Sequence, residues 1–228
     1  MKLKLAGKRP EADGVTSFLF TSDQPIKWEA GQFLLYRLPH DGADDRGITR
    51  YFTIASAPFE GRVMLTTRFA GHGSSTFKRA LLELPIGATV DAGDPDGDFV
   101  VGDPDTDHVF IAAGIDITPF RAILLDLDHR RGALDATLLY VNRTPGFVYQ
   151  AEIDALARRH GNLAVRYLVS PGRLTTATLR PLAARLARPT FYVSGPEPFV
   201  EAMGAVLSEV GVAAAQVKRD YFPGYDWP

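Results

Sequence analysis

The chain has no cysteine among its 228 residues, and this absence excludes two kinds of stabilising framework. Disulfide networks need paired cysteines, and iron–sulfur clusters held by thiolates need several of them. Long apolar runs are lacking as well, because none approaches the roughly 20 residues that cross a bilayer as a helix. The segment Met1–Leu5 lacks the apolar core of a signal peptide, so a cytoplasmic location is the expectation.

Neither sign of charge predominates, since 25 Lys and Arg residues stand against 27 Asp and Glu residues and the net charge is −2. This balance indicates neither a nucleic acid nor an anionic membrane surface as a partner. The hydrophobic fraction of 46% is ordinary for a soluble globular protein. The length is sufficient for two domains of about 100–120 residues each.

The first part of the chain has the pattern of short strands separated by turns. Strands are predicted over 2–8, 15–21, 31–38, 49–55, 62–69 and 88–92. Asp13-Gly14 and Glu60-Gly61 supply the turn chemistry of hairpins. Repeated short strands of this kind favour an antiparallel β-barrel or a sandwich. One helix is predicted within this part, over residues 75–84.

The second part alternates strands with helices, and the change of rhythm near residue 104 predicts a domain boundary between 1–103 and 104–228. Strands are predicted near 108–112, 136–142, 163–169 and 190–194, with a last one at 215–221. Helices are predicted near 118–131, 146–160, 176–187 and 197–210. Such alternation predicts a doubly wound parallel sheet that binds ligands at the carboxyl ends of its strands.

The strand within Arg50–Pro58 has unusual chemistry for a plain strand. Strand alternation places Arg50 and Phe52 on one face and Tyr51 and Thr53 on the other. A guanidinium, aromatic rings and a hydroxyl followed by small residues suit a ligand that is part phosphate and part planar heterocycle. The alternative is an ordinary half-buried strand with a surface arginine.

The start of the predicted helix offers a second phosphate-binding feature. Ser74, Ser75 and Thr76 are suitable N-cap residues, and a helix start presents unpaired N–H groups with a partial positive charge. The alternative is that these hydroxyls only cap the helix.

Three strand ends of the second part carry candidate ligand-binding residues. After the first strand, Thr118 is a suitable N-cap and Pro119 a suitable first helical residue. Arg143 follows the second strand, where a cation could meet a 2′-phosphate. The fourth strand ends in Ser194-Gly195-Pro196.

These motifs, taken together, resemble those of the ferredoxin–NADP+ reductase family over nearly the whole chain. The flavin signature of that family is matched by Arg50, Phe52 and Thr53, within a stretch that includes Tyr51, Ile54 and Ser56. Its pyrophosphate-binding stretch, Gly-x-x-Ser, puts Ser75 in the serine role with His72 at the glycine position, or in a second register is matched by Gly73 and Thr76. Its nicotinamide-binding motifs are matched by Gly114, Thr118, Pro119, Gly195 and Pro196.

The resemblance implies a flavoprotein oxidoreductase with FAD in the barrel, FMN being the less favoured cofactor, and with NADPH or NADH as the reductant. It implies that Arg50 binds the diphosphate, that Phe52 stacks on the isoalloxazine ring, and that the Thr53 hydroxyl contacts flavin N5. Ser194, which stands where cysteine is usual, would border the nicotinamide. Phe222 or Tyr225 in the C-terminal tail would cover the opposite flavin face. An external acceptor, such as an iron–sulfur or haem protein, would bring its own metal, since no metal ligand set is predicted here.

One residue departs strongly from the family pattern. Asp116 stands where the third glycine of the nicotinamide motif is usual, so a carboxylate could meet the pyrophosphate. Two unit charges about 5–6 Å apart repel by roughly 3 kcal/mol at an effective dielectric constant of 20. A second hypothesis is therefore a flavin-binding electron-transfer subunit that no longer uses nicotinamide. A third is a non-catalytic binding module with an empty barrel.

Overall fold

A computed structural model of the chain describes residues 1–69, 74–102, 106–131, 134–170 and 172–221. It contains one antiparallel and one parallel sheet, as the sequence predicts. The antiparallel strands are β1 (Lys2–Ala12), β2 (Val15–Thr21), β3 (Phe33–Arg37), β4 (Thr49–Thr53), β5 (Val63–Arg68) and β6 (Thr89–Ala92). The predicted boundary at 103/104 falls on residues 103–105, which lie outside the described ranges.

The antiparallel sheet has the strand order β4-β3-β6-β1-β2-β5 and curls into a barrel-like form. Its two outer strands approach where the Ala55 N–H donates to the carbonyl of Met64 at 2.8 Å. Among the described residues, however, no strand ladder joins β4 to β5, so the predicted barrel is not closed. Alternating burial in β1, with Leu3 and Leu5 inside and Lys2 and Lys4 outside, shows how the pleat builds its core.

Helix α1 (Thr76–Glu83) lies at one end of this sheet. Ser75 is its N-cap, because its hydroxyl accepts a hydrogen bond from the N–H of Lys78 at 3.3 Å. Phe77 and Leu81 are one turn apart on the buried face and pack into the core of the antiparallel sheet. The helix start is thereby held beside β4.

The parallel sheet has the order β11-β10-β7-β8-β9. Its strands are β7 (Asp107–Ala113), β8 (Ala136–Asn142), β9 (Leu163–Val169), β10 (Pro189–Ser194) and β11 (Val217–Asp220). β7 is the first strand of this unit and lies between its second and fourth strands, so the order reverses between β7 and β10. In open sheets of this type, ligands bind outside the carboxyl ends of the strands at that switch point.

Four helices connect these strands: α2 (Thr118–Arg131), α3 (Gln150–Arg159), α4 (Thr176–Arg185) and α5 (Glu197–Glu209). Three begin where the sequence predicts. Helix α3 begins at Gln150 rather than at the predicted residue 146, because Tyr149 has a left-handed backbone with φ of 62° and interrupts the helical pattern. Within the described ranges, no helix has the length and apolar character needed to cross a bilayer.

The two sheets share a hydrophobic core. Ala30, Ala55 and Phe99 from the first part pack in one cluster with Phe110 and Phe120 from the second. The Tyr149 hydroxyl adds a buried hydrogen bond to Thr66 Oγ1 at 2.6 Å. This contact surface fixes the carboxyl ends of β7 and β10 opposite β4 and α1.

Candidate functional site at the junction of the two sheets

The switch point is formed by two strand ends that lie side by side. Ala112 of β7 is paired with Ser194 of β10, and the chain leaves these strands in the turns that begin at Gly114 and Gly195. Gly195 packs so closely that an added Cβ would come within 2.5 Å of the Phe199 ring and 3.1 Å of Ala113 Cβ. A side chain at position 195 would therefore push the two turns apart.

Arg50 is buried beside the start of α1, with 6% of its surface exposed. Its Nη1 donates to the carbonyls of Arg46, Gly47 and Thr49 at 2.6–2.9 Å, and its Nη2 donates to Asp44 Oδ1 at 2.5 Å. The Nε atom is buried without a hydrogen-bond partner. Since a buried N–H of a charged group is costly to leave unpaired, this atom identifies Arg50 as a ligand-binding candidate.

Further cations lie around the same helix start. Burial, opposed by the charge of Asp116 and assisted by the charges of Arg46, Arg50 and Arg68, lowers the pKa of Lys78 to about 8. A cluster of four cations at a helix start is an anion-binding arrangement. Lys78, Arg46 and Arg68 were not predicted, because they belong to no motif.

Asp44 occupies part of this anion-binding arrangement. Its Oδ1 binds Arg50, and its Oδ2 accepts the Thr76 backbone N–H at 3.1 Å. Although burial opposes ionisation, these hydrogen bonds lower the pKa of Asp44 to about 2. The carboxylate thus makes the two contacts, to a guanidinium and to a helix N–H, that a phosphate group makes in such sites. Thr76 also uses its hydroxyl here, within 2.9 Å of His40 Nε2, so its side chain holds the loop that carries Asp44.

The aromatic residues of β4 divide between core and cleft. Phe52 is 7% exposed and packs between Tyr36 and Phe77, with ring centroids 5.9 and 5.8 Å away. Its ring faces protein side chains, and its stacking role stays a prediction. Tyr51 is 49% exposed and meets the edge of Phe33 at 5.4 Å. The ring that β4 presents to the cleft is therefore that of Tyr51.

The residues after Phe52 are buried. Thr53 has 6% of its surface exposed and ends β4, paired with Phe33. Ile54 is fully buried. Ser56 was expected to contact the cofactor, but its hydroxyl donates to the carbonyl of Arg62 at 2.7 Å and accepts the N–H of Met64 at 3.0 Å. Its side chain stabilises the turn before β5, and the expected cofactor contact stays a prediction.

A cavity of about 330 Å³ opens between the two sheets beside Tyr51. Aromatic and acidic residues, a glycine and an arginine from the two units line it: Phe33, Tyr51, Asp96, Gly97, Asp98, Phe99, Arg219, Asp220 and Tyr221. Gly97 has φ of +106°, and an added Cβ would come within 2.8 Å of the Phe33 ring, so only glycine fits this wall. A cavity of this size lies at the lower end of the range of about 300–1,000 Å³ for small-molecule sites.

The turn after β7 differs in detail from the prediction. Residues Gly114–Ile117 form a short 3-10 turn that runs directly into α2. Thr118 has helical dihedral angles of −55° and −45°, so it is a helical residue rather than the expected N-cap. Pro119 follows it in the first turn of α2. The positive φ of 62° at Gly114 lets the chain turn early, and the helical segment begins before Thr118.

Asp116 is half-buried in this turn and does not point outward to solvent. Burial and the charge of Asp220 raise its pKa to about 7, and the charge of Lys78 opposes this rise. At neutral pH the carboxyl is therefore close to half protonated. The full negative charge assumed from the sequence is reduced by this environment.

Asp220, at the end of β11, was not singled out from the sequence. Its Oδ2 accepts a hydrogen bond from Ser194 Oγ at 2.9 Å, and Ser194 is buried with 1% exposure. Burial raises the pKa of Asp220 to about 6, and Asp98 adds to the rise while the Ser194 hydrogen bond opposes it. No local pattern marks Asp220, because only the pairing of β10 with β11 brings it to the switch point.

The remaining predicted residues lie at the surface, at helix starts or outside the described residues. Arg143 follows β8 on the exposed surface, where its N–H is held by Asn142 Oδ1 at 3.0 Å. Ser74 is buried, and its carbonyl accepts a hydrogen bond from Arg79. Pro196 is the N-cap residue of α5. Gly73, Phe222 and Tyr225 lie outside the described residues.

Fold and site together define a class. A barrel-like antiparallel sheet followed by a parallel sheet of this strand order, with the cleft at their junction, is the two-domain fold of the ferredoxin–NADP+ reductase-like proteins. The resemblance carried by the motifs is confirmed, because relatives in sequence and neighbours in structure are reductases of this kind.

Particular proteins illustrate the similarity. The ferredoxin reductase component of a 3-ketosteroid-9-alpha-monooxygenase from Rhodococcus rhodochrous is 29% identical over 202 residues, which are 86% of this chain and 56% of that protein. A cytochrome P450 reductase from Amycolatopsis superposes with a TM-score of 0.83 at 19% identity, over 97% of this chain and 70% of that one. The FAD/NAD-binding domain of a nitric oxide dioxygenase from Vibrio cholerae gives a TM-score of 0.79 at 20% identity, over 97% and 98% of the two chains.

No family model matches the chain. The chain spans a little over half the length of the first curated relatives that it matches, at 56–57%.

Proposed function

We propose that the chain is an FAD-dependent oxidoreductase that takes hydride from NADPH or NADH and passes electrons to an external acceptor. When bound, FAD supplies hydride acceptance and single-electron release, and the protein supplies binding and orientation. The observation that carries the proposal is the buried Arg50, whose unpartnered Nε lies in a cation cluster at a helix start. The cavity that Tyr51 lines at the junction of the two sheets has aromatic walls, and the named relatives are reductase components.

The anion-binding arrangement fits a diphosphate. Arg50 and Lys78 bring positive charge, and α1 brings its partial positive end. Two adjacent phosphates match such a cluster better than one, which favours FAD over FMN. Ser75 and Thr76 at the helix start complete the proposed contact, and Gly73 and Ser74 belong to the same predicted segment.

The aromatic cavity fits a planar ring system. Phe33 and Tyr51 on one wall and Tyr221 on the other offer ring faces and edges, and the cavity volume suits part of a dinucleotide. We assign the ring contact to Tyr51 in place of Phe52, which supports that wall from the core. The Thr53 hydroxyl both donates and accepts hydrogen bonds, so it suits a flavin nitrogen in either redox state.

The nicotinamide nucleotide would bind at the carboxyl ends of β7 and β10. The turn from Gly114 to Pro119 and the turn Ser194-Gly195-Pro196 meet there, as ligand-binding turns do in sheets of this order. Ser194 Oγ donates to Asp220 Oδ2, so this pair can hold a proton at the cleft. Arg143 is proposed to contact a 2′-phosphate, which would favour NADPH. We propose domain limits of 1–103 for the FAD unit and 104–228 for the nucleotide unit.

The external acceptor is proposed to be a metalloprotein. The chain has no cysteine with which to hold an iron–sulfur cluster, and the relatives named above are components of oxygenase and P450 systems. An iron–sulfur or haem protein is therefore the acceptor class we favour. A cytoplasmic location stays a prediction from the sequence.

A second candidate function rests on Asp116. A carboxyl in the nicotinamide turn, facing a second carboxyl at Asp220, favours an electron-transfer subunit that receives electrons from a protein rather than from nicotinamide. This candidate predicts weak saturation by NADH and NADPH, with tight saturation restored in Asp116→Gly.

One experiment separates the candidates. Purified protein is titrated with FAD and then mixed anaerobically with NADH or NADPH while the flavin absorbance is recorded. Saturable flavin binding and rapid bleaching by either nucleotide support the reductase. Flavin binding without bleaching supports the electron-transfer subunit, and a protein that stays colourless with added FAD leaves only the non-catalytic binding module.

A further inference from the structure

Arg121 of α2 is buried at the junction of the two sheets and uses every N–H donor that it has. Its Nε donates to Glu152 Oε2 at 2.6 Å, and its Nη2 donates to Glu152 Oε1 at 2.9 Å and to Glu60 Oε1 at 3.2 Å. Its Nη1 donates to Glu60 Oε2 and to the carbonyl of Ala55, both at 2.8 Å. A guanidinium has five N–H donors, so all five are satisfied.

The partners of Arg121 belong to different parts of the fold. Glu60 lies in the short turn that follows β4, in the antiparallel unit, and the Ala55 carbonyl lies two residues beyond Thr53. Glu152 lies on α3, in the same parallel unit as Arg121. One planar group therefore joins the end of the proposed flavin strand to the helix that begins at the proposed nucleotide turn.

The electrostatics favour a fixed arrangement. Burial works against the charge of Arg121, but hydrogen bonds and charges from Glu60 and Glu152 outweigh it and raise the pKa of the guanidinium. The same contacts lower the pKa of Glu60 against the effect of burial. The guanidinium is 3% exposed and also lies over the Tyr149 ring, 5.2 Å from its centroid.

A hydrophobic side chain could fill this place without the desolvation cost of a buried charge. A planar guanidinium also fixes the orientation of its partners, because its N–H donors match two carboxylates and a carbonyl in a single orientation. We propose that Arg121 is a positioning residue that fixes the antiparallel unit against α2 and so sets the distance between the two halves of the cleft. Its effect on catalysis rests on the proposed hydride transfer between nicotinamide and FAD.

Two variants of matched chemistry separate positioning from ordinary stabilisation. Glu60→Gln neutralises the carboxylate that binds Arg121 from the antiparallel unit, and it retains an oxygen for the Ala57 N–H that Glu60 binds at 2.7 Å. Glu152→Gln neutralises the carboxylate that binds Arg121 within the parallel unit. Both substitutions weaken contacts of the same guanidinium, and Arg121→Met removes its contacts with both glutamates.

The first readout is calorimetric and needs no activity. We expect wild-type protein and Glu152→Gln to unfold in a single transition, because the two units are coupled. We expect Arg121→Met and Glu60→Gln to unfold in two transitions or with a broadened one. A purely stabilising Arg121 would lower the melting temperature of all three variants and leave one sharp transition, and that result would overturn the proposal.

The second readout is the rate of anaerobic flavin reduction after FAD reconstitution. Small displacements between reacting groups lower rates strongly, so we expect a loss of about tenfold or more in Glu60→Gln and of less than about threefold in Glu152→Gln. FAD affinity should stay unchanged in both variants. Equal rates in the two variants would contradict the proposal. If Arg121→Met does not fold, calorimetry and the rate of flavin reduction are compared between Glu60→Gln and Glu152→Gln.

Failure of the proposed function would look different. A wild-type protein that neither binds FAD nor is reduced contradicts the reductase proposal, whereas the calorimetric comparison still decides the role of Arg121.

Discussion

Asp116 should make binding of the nicotinamide nucleotide depend on pH. Its pKa is raised to about 7 by burial and by Asp220, so the carboxyl is mostly neutral near pH 6 and mostly charged near pH 8. Only the charged form repels a diphosphate. Affinity for NADH should therefore fall as the pH rises through 7, and Asp116→Asn should remove this part of the dependence.

The magnitude follows from the pKa and from Coulomb's law. Repulsion of roughly 3 kcal/mol at about 5–6 Å weakens binding to the charged form by about a hundredfold, so the neutral form dominates binding across this range. With a pKa of about 7, the neutral fraction falls about tenfold between pH 6 and pH 8. The apparent dissociation constant of wild type should rise about tenfold more than that of the variant.

The assay is stopped-flow reduction of bound flavin at several NADH concentrations, which gives a half-saturation constant at each pH. NADH is preferable to NADPH because it has no 2′-phosphate that titrates in the same range. Lys78 and Asp220 titrate nearby and interact with Asp116, so the difference between the two profiles measures position 116 together with its coupling to these two groups. Asp23→Asn changes an exposed carboxyl that is distant in sequence from Asp116. It is the matched control, and its pH profile should follow that of wild type.

Parallel profiles for wild type and Asp116→Asn would refute the electrostatic reasoning. Tighter binding by wild type at high pH would refute it more strongly, since it would mean that the charged carboxylate attracts the nucleotide.

Further predictions concern the flavin side and stability. Arg50→Ala should weaken FAD binding at least tenfold, since a hydrogen bond to a charged group contributes about 1.5–3 kcal/mol, and fluorescence titration of the FAD-free protein measures this. Ser56→Ala should leave FAD affinity unchanged but lower the free energy of unfolding by about 1–3 kcal/mol, because the buried Met64 N–H loses its acceptor; fluorescence titration with FAD measures the first quantity and urea denaturation the second. Asp220 has a pKa of about 6 in the folded protein, above its ordinary value of 3.8, so the folded state keeps a proton that the unfolded chain releases. Stability should therefore fall between about pH 4 and pH 6, by on the order of 2–3 kcal/mol from this group; Asp220→Asn should lose this contribution and keep the fall that the raised pKa of Asp116 causes between about pH 4 and pH 7.

Local patterns predicted most of the fold. Strand–helix alternation after residue 107 gave the observed order of elements, because each element buries a face whose period is visible in the sequence. Alternation in β4 also predicted that Arg50 and Phe52 share a face, and both side chains contact Phe77. Alternation cannot tell which face is the interior, so it did not predict that Tyr51 is the exposed ring of β4; the stacking role of Phe52, implied by the resemblance, stays a prediction.

The electrostatic part of the site was beyond such patterns. Asp220 meets Ser194 through parallel pairing of β10 with β11, and Lys78 faces Asp116 across the junction of the two units. The five hydrogen bonds of Arg121 join positions 55, 60 and 152. No regular spacing in the sequence marks long-range pairings of this kind. The raised pKa of Asp116 depends on them, so it could not be predicted from the sequence.

The most direct test of the account is titration of the FAD-free protein with FAD, followed by flavin absorbance and fluorescence, in wild type and Arg50→Ala. The account predicts saturable binding of one FAD per chain by wild type, together with a shifted flavin spectrum and a much weaker response in the variant. Absence of saturable binding by wild type, or equal affinity in the two proteins, would contradict the claim that Arg50 at the start of α1 binds the flavin diphosphate.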